Sequence, residues 1–329
     1  MRRPTTEELV AGVRGGDRAL LGRAITLVES AAARHREQAQ ELLQALLPFT
    51  GGADRIGVTG VPGVGKSTFI ESFGMFLADR GRRPAVLAVD PSSGVSGGSI
   101  LGDKTRMQRL SVCDAAFVRP SPSAGNLGGV ARKTRESMLL CEAAGYDVIL
   151  VETVGVGQSE IVVADMVDSV LMLLLPGAGD ELQGIKRGIL ELIDVVVVNK
   201  AEGANELAAR RARVEYHSGL KLIRPATDWM PPVLTASGLT GLGLAEVWQA
   251  LQDHRRTLSE SGELERKRSR QQLAWMWSQV QDRLLATFRS SPSVVDRLAQ
   301  LEDEVASGRR TPAKAATELL EGFFRDVSP

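Results

Sequence analysis

The sequence predicts an α/β fold, a doubly wound and mostly parallel sheet with helical extensions at both ends. Three observations carry this. From residue 55 onward, short apolar runs rich in β-branched residues alternate with helical stretches. The runs are apolar throughout, as expected of strands covered on both faces. Before 50 and after about 258, only helical spacing remains. The expected organisation is an N-terminal helical extension over 1–50, a sheet domain over 51–258 and a C-terminal helical extension over 259–329.

The elements follow in order. "TEELVAGVRGGDRALLGRAITLVES" and "HREQAQELLQALLPF" carry apolar residues three and four apart, as helices do. Pro48 and Gly51–Gly52 then mark a boundary. The expected strands are "RIGVTG", "PAVLAVD", "AAFVRP", "DVILVET", "SVLMLLLP", "DVVVVNK" and "PPVLTAS". Helices between them close at glycine, as at Gly81 and Gly145. In the tail, "ELERKRSRQQLAWMWSQVQDRLLATF" reads as one long, basic, amphipathic helix. Two shorter helices are expected near 294–307 and 312–326. Leu273, Trp277, Val280 and Leu284 form an apolar stripe at helical spacing that needs cover, which predicts a homodimer through the tail.

Composition bounds the function. The 329 residues are 24% charged and 43% hydrophobic, and the formal net charge is zero. Nothing there attracts nucleic acid or an anionic membrane in bulk. Cys113 and Cys141 give no disulfide framework and no paired metal spacing. The opening "MRRPTTEELV" lacks an apolar signal core, and "SVLMLLLP" is far too short to span a bilayer. A cytoplasmic protein is expected, with no membrane or nucleic-acid partner.

One stretch carries chemistry. Gly60, Val61, Pro62, Gly63, Val64, Gly65, Lys66 and Ser67, followed by Thr68, fit G-x-x-x-x-G-K-[ST] between a strand and a helix. The glycines let backbone N–H groups converge on phosphate oxygens, and the helix start adds its dipole. Lys66 is expected to reach the β- and γ-phosphates, and Ser67 to place its hydroxyl on Mg²⁺.

Further elements point to the base and the metal. Asn199-Lys200-Ala201-Glu202 resembles the N-K-x-D element of GTPases, with Glu202 in place of Asp. The same residues also suit a plain helix start. "PPVLTASGLTGLGL" resembles the later guanine loop, with Ser237, Gly238 and Leu239 at the base-contacting positions. Together they predict GTP and GDP as the bound nucleotides. Glu152 and Gly155 in "VETVG" are expected beside the metal and the γ-phosphate. Asp90 ends another strand, while Asp103 and Arg106 lie on a glycine-rich loop. Ser67, Asp90, Asp103 and Glu152 are the candidate Mg²⁺ set. Lys66, Asp90, Asp103, Glu152 and Arg106 are the candidate catalytic groups. An acid at Asp90 is typical of the GTPase class that dimerises around nucleotide, so the domain is expected to be a SIMIBI-like P-loop GTPase. Val156 stands where some GTPases orient water with Gln, and Gln158 is two residues further on. Hydrolysis is therefore expected to be slow without a partner.

"TGVPGVGKST", "VDPSS", "GGSILGDKTRM", "FVRPSPSAGNLGGVARKTRE", "CEAAGYDVILVETVGVGQSE" and "LPGAGDELQGIKRGILELID" together resemble the MeaB/ArgK family. The resemblance implies a GTP-dependent chaperone of adenosylcobalamin-dependent methylmalonyl-CoA mutase, one that gates cofactor loading and protects the mutase. Its adenosyltransferase is a further implied partner. The resemblance also makes 176–188 a partner-coupling loop, with Asp180, Glu181 and Lys186; a simple strand–helix connection is the other reading. A metallochaperone for another metalloenzyme and an arginine-transport kinase are the competing functions. His35, His217 and His254 are too widely spaced for the ligand cluster of a nickel-type metallochaperone.

Overall fold

The computed structural model describes residues 2–30, 32–89, 107–119, 127–153, 159–177, 187–223 and 229–327. These residues divide into two compact units, Met1–Arg268 and Ser269–Pro329.

The first unit is built on seven strands: β1 (Asp54–Gly60), β2 (Pro84–Val89), β3 (Phe117–Arg119), β4 (Val148–Thr153), β5 (Ser169–Leu174), β6 (Val195–Val198) and β7 (Val233–Thr235). They pair in the order β3-β2-β4-β1-β5-β6-β7, and every pairing is parallel. All seven expected runs are strands, and the mostly parallel sheet is parallel throughout. β1, β4, β5 and β6 are buried at each position, which is why their sequences are apolar without alternation.

Helices cover both faces. On one face, α4 (Lys66–Ala78), α5 (Gln108–Val112) and α10 (Leu244–Glu260) pack on Val58, Leu150, Leu171 and Val197. The other face carries α1 (Thr6–Arg14), α2 (Arg18–Glu29), α3 (Ala33–Leu46), α6 (Leu127–Ala143) and α7 (Ser159–Ala164) over β2 and β4. Further along that face, α8 (Arg187–Leu190) and α9 (Glu206–Ile223) cover β5 and β6. The N-terminal helices therefore share the core of the sheet: Leu9, Ile25 and Leu42 are buried in one cluster with Ile149 and Val151. Their starts are sequence-coded. Thr5 and Glu8 form a reciprocal capping box on α1, and Asp17 caps α2.

The helix α11 (Glu263–Ser290) begins in the first unit and is followed by α12 (Pro292–Ala306) and α13 (Pro312–Val327) in the second. Within the second unit, Phe288 and Phe323 meet edge to face at 5.4 Å. Asp326 accepts from Ser293 N at 2.9 Å, and Glu318 pairs with Arg297 and Arg310. Leu273, Trp277, Val280 and Leu284 are exposed along α11, with Trp277 at 59%. No helix among the described residues is long and apolar enough to cross a membrane.

Candidate functional site

The carboxyl ends of β1, β4, β6 and β7 bring distant motifs to one place. β1 ends at Gly60 and the chain turns into α4 at Lys66. Gly65 is the N-cap in left-handed geometry (φ 90°), and no side chain caps α4. The first N–H groups of α4 thus lack the internal satisfaction that a Ser or Asp cap gives, as at an anion site. A Cβ on Gly65 would sit 3.1 Å from Asn199 Nδ2, so both backbone strain and space require glycine.

Lys66 is 9% exposed and donates to the carbonyls of Gly60 at 2.7 Å and Val61 at 3.3 Å. Its ammonium lies on the cradle it is expected to serve. Ser67 Oγ donates to Glu152 Oε1 at 2.8 Å, joining the start of α4 to the end of β4. A hydroxyl and a carboxylate at this point are hard oxygen donors and suit Mg²⁺, which takes one or two carboxylates together with phosphate oxygens. Beside them Thr153 and Thr59 share a hydrogen bond of 3.0 Å between β4 and β1. Thr68 is exposed on α4.

The base-side loops are locked to the cradle. Asn199 Nδ2 donates to Val64 O at 2.9 Å, and Asn199 Oδ1 accepts from Gly238 N at 3.1 Å. One amide thus ties the cradle, the end of β6 and the loop after β7. Lys200, with φ 57°, donates to Gly63 O at 2.9 Å. Ser237 Oγ accepts from the backbone N–H groups of Leu239 at 3.2 Å and Thr240 at 2.9 Å, closing that loop into a tight turn. Gly238 lies so close to α4 that a Cβ there would meet the Phe69 backbone at 2.9 Å. Glu202 buries Oε2 without a hydrogen-bond partner. Such an acceptor is costly unless a donor arrives, which fits the ring N–H and amino group of guanine.

The sequence-predicted residues Gly60 to Ser67, Glu152, Asn199, Lys200, Glu202 and Ser237 to Leu239 therefore stand at neighbouring strand ends. Asp90, Asp103, Arg106, Gly155, Val156, Asp180, Glu181 and Lys186 lie outside the described residues. Among the described residues, no group of three or more His, Cys, Asp or Glu could hold a metal alone. Sequence reasoning missed Ser72, whose Oγ donates to Gly238 O and ties α4 to the base loop. Only its place one turn beyond Thr68 pointed that way.

The chain is similar to several known proteins. The family model described as methylmalonyl Co-A mutase-associated GTPase MeaB matches residues 21–293. A putative GTPase from Caulobacter vibrioides is 58% identical over 309 residues, covering 94% of each chain. The mitochondrial methylmalonic aciduria type A homolog of Mus musculus is 48% identical over 328 residues, covering 96% of this chain and 79% of the mouse protein. A solved structure of an LAO/AO transport system kinase is 40% identical, superposes with a TM-score of 0.77 and covers 98% of both chains.

Proposed function

Since the chain belongs to the MeaB family of methylmalonyl-CoA mutase-associated GTPases, we propose that it hydrolyses GTP as a chaperone of adenosylcobalamin-dependent methylmalonyl-CoA mutase. In this reading it gates cofactor loading into the mutase and protects it. The observation that carries the nucleotide half is the Asn199 amide, which binds the cradle to the guanine loop beside the unpartnered Glu202 oxygen. The mouse relative, named for methylmalonic aciduria, supports the metabolic half.

The residues divide the work as follows. The uncapped start of α4 holds phosphate oxygens through backbone N–H groups. Lys66 leaves the Gly60 carbonyl for the β- and γ-phosphates. Ser67 and Glu152 would hold Mg²⁺, with Asp90 and Asp103 as further ligands. When bound, Mg²⁺ supplies charge neutralisation on the transferring phosphoryl group. Glu202 accepts from guanine, and adenine offers no equivalent ring N–H. In this reading Gly155 would donate its N–H to the γ-phosphate, and Arg106 is the candidate stabiliser of developing charge. No orienting side chain stands at Val156, so turnover is slow until a partner reorders the site. The loop with Asp180, Glu181 and Lys186 transmits that change. The exposed α11 stripe supports a homodimer, and the adenosyltransferase is a further partner.

The test is GTP hydrolysis at saturating nucleotide with and without the mutase, together with competition by ATP. The expected outcome is acceleration by the mutase and displacement of labelled GDP by GTP but not by ATP. A rate indifferent to the mutase overturns the chaperone reading. Phosphate appearing on an added small-molecule acceptor would favour a kinase, the activity for which the solved relative is named.

A further inference from the structure

The loop after β7 touches the phosphate-binding helix as well as the cradle. Gly238 lies against the first turn of α4, where an added Cβ would stand 2.9 Å from both N and Cα of Phe69. At this close approach Ser72 Oγ donates to Gly238 O at 2.5 Å, across 166 residues. Ser72 lies on α4 six residues beyond Lys66, about 9 Å along the helix axis. A serine hydroxyl inside a helix often returns to the carbonyl four residues before it. This one leaves its helix for the loop. Alanine would serve the helix better, so the hydroxyl is placed for the loop.

The two peptides that flank Gly238 are held at all four of their polar groups. In the first, Gly238 N donates to Asn199 Oδ1 at 3.1 Å, and Ser237 O accepts from Gly241 N at 2.9 Å. In the second, Leu239 N donates to Ser237 Oγ at 3.2 Å, and Gly238 O accepts from Ser72. Two of these four bonds stay within the loop. Of the others, Asn199 leads to the cradle through Val64 O, and Ser72 leads to α4.

The C=O and N–H of one trans peptide are coplanar and point in opposite directions. Holding the Gly238 carbonyl on α4 therefore fixes the direction of the Leu239 N–H. Direction matters to base choice, because guanine offers a carbonyl oxygen, O6, where adenine offers an amino group. A loop N–H attracts the first and repels the second.

We propose that Ser72 is a positioning residue for guanine: by holding the 238–239 peptide on α4, it sets the base-selective loop against the helix whose start binds phosphate. The inference rests on the guanine-nucleotide reading of the site. In this role Ser72 acts through the loop rather than on the ligand. Its loss leaves the Gly238 carbonyl without its α4 donor and frees that peptide to rotate. The cost falls on the base and not on the phosphates, and on guanine rather than adenine.

The test measures the affinities of full-length wild type, Ser72→Ala and Ser72→Thr for GDP, ADP and pyrophosphate by calorimetry, each with Mg²⁺. Ser72→Ala should weaken GDP by about 3- to 10-fold, as the loss of one hydrogen bond does, and leave ADP and pyrophosphate unmoved. Ser72→Thr keeps the hydroxyl and should bind GDP as wild type does. In GTP turnover the Ala variant should raise KM and hold kcat, the pattern of a lost contact that ground state and transition state share. A merely structural hydroxyl would weaken GDP and pyrophosphate together by loosening α4, and that result overturns the proposal. A Thr variant as weak as the Ala variant also overturns it. Wild-type protein that takes ADP as readily as GDP overturns the guanine reading itself, and this inference with it. A guanine-selective wild type beside an unaffected Ala variant overturns this inference alone.

Discussion

At the carboxyl edge of the sheet, Lys66 turns its ammonium onto two backbone carbonyls, and Glu202 keeps a buried oxygen without a partner. At the amino edge, Asp54, Glu142 and Asp168 each meet at least one guanidinium. Asp168 takes Arg268 through both carboxylate oxygens, at 2.8 and 2.6 Å, and also accepts from Arg55 N at 2.9 Å. Asp54 takes Arg82 and Arg255, and Arg55 bonds Glu142 at 2.6 Å. One edge is chemically open and the other is closed on itself. A parallel sheet leaves its amino-end N–H groups in need of acceptors, and this chain supplies aspartates for them. Asp147 accepts from Arg83 N and Asp194 from Val170 N, just as Asp168 serves Arg55. The amino-edge carboxylates meet their cations within the chain, whereas the buried Glu202 oxygen at the carboxyl edge does not.

The largest expected effect breaks the closed edge. Asp168→Asn should lower stability by about 3–5 kcal/mol, because it strands the Arg268 charge at a buried position. GDP affinity should hold, since none of these residues touches the cradle. Urea unfolding and nucleotide titration of the same variant check both halves. The pH dependence has a definite sign. Burial works against the Asp168 charge, but the Arg268 bonds and charge outweigh it and hold the carboxyl below its usual range. Its stabilising contribution is present above the unfolded carboxylate value, about 3.9, and is lost as pH falls through the depressed folded value. The gap between wild type and variant should therefore narrow in acid.

The next effect breaks the open edge. Lys66→Ala should reduce GTP hydrolysis by about 10²- to 10³-fold, the usual consequence of removing a charge from the transferring phosphoryl group. Its thermal stability without nucleotide should change little, because its bonds to Gly60 and Val61 are to backbone carbonyls that water can also serve. Near-normal turnover by a folded variant would remove Lys66 from the chemistry. A large loss of stability would instead erase the contrast between the edges.

The two edges also differ in how legible they are. The open edge was readable because its residues fall in contiguous motifs, Gly60 to Ser67 and Asn199 to Glu202. The strands were readable because full burial leaves unbroken apolar runs. The closed edge was not readable as a network. Arg268 reaches Asp168 across 100 residues, and Arg255 reaches Asp54 across 201. No spacing rule joins such partners. A local signal did exist, since an aspartate stands at or just before the starts of β1, β4, β5 and β6.

The smallest expected effect concerns a carboxylate that belongs to neither edge. Glu136, on α6, is 2% exposed. Its nearest paired cation is Arg132, one helical turn away at 3.5 Å, on a partly exposed side chain. Burial is the dominant influence and pushes its carboxyl up to about 7, with Arg132 and a Gln40 hydrogen bond opposing it only in part. The contrast with Asp168 is instructive: both are buried, but only Asp168 has a guanidinium close enough to win. The linkage runs the other way here. The folded protein holds the Glu136 proton more tightly than the unfolded chain, so stability falls as pH rises from about 4.5 to about 7 and then levels. Glu136→Gln removes that loss while keeping the hydrogen-bonding shape. The variant should match wild type near pH 4.5 and be more stable by about 1–3 kcal/mol at pH 8, the upper bound following from about 1.4 kcal/mol per pH unit. Thermal unfolding at the two pH values, with Glu136→Ala to show the cost of lost packing, decides it. If the Gln variant is equally or less stable at pH 8, the carboxylate is held charged, and Arg132 closes this site as Arg268 closes the amino edge.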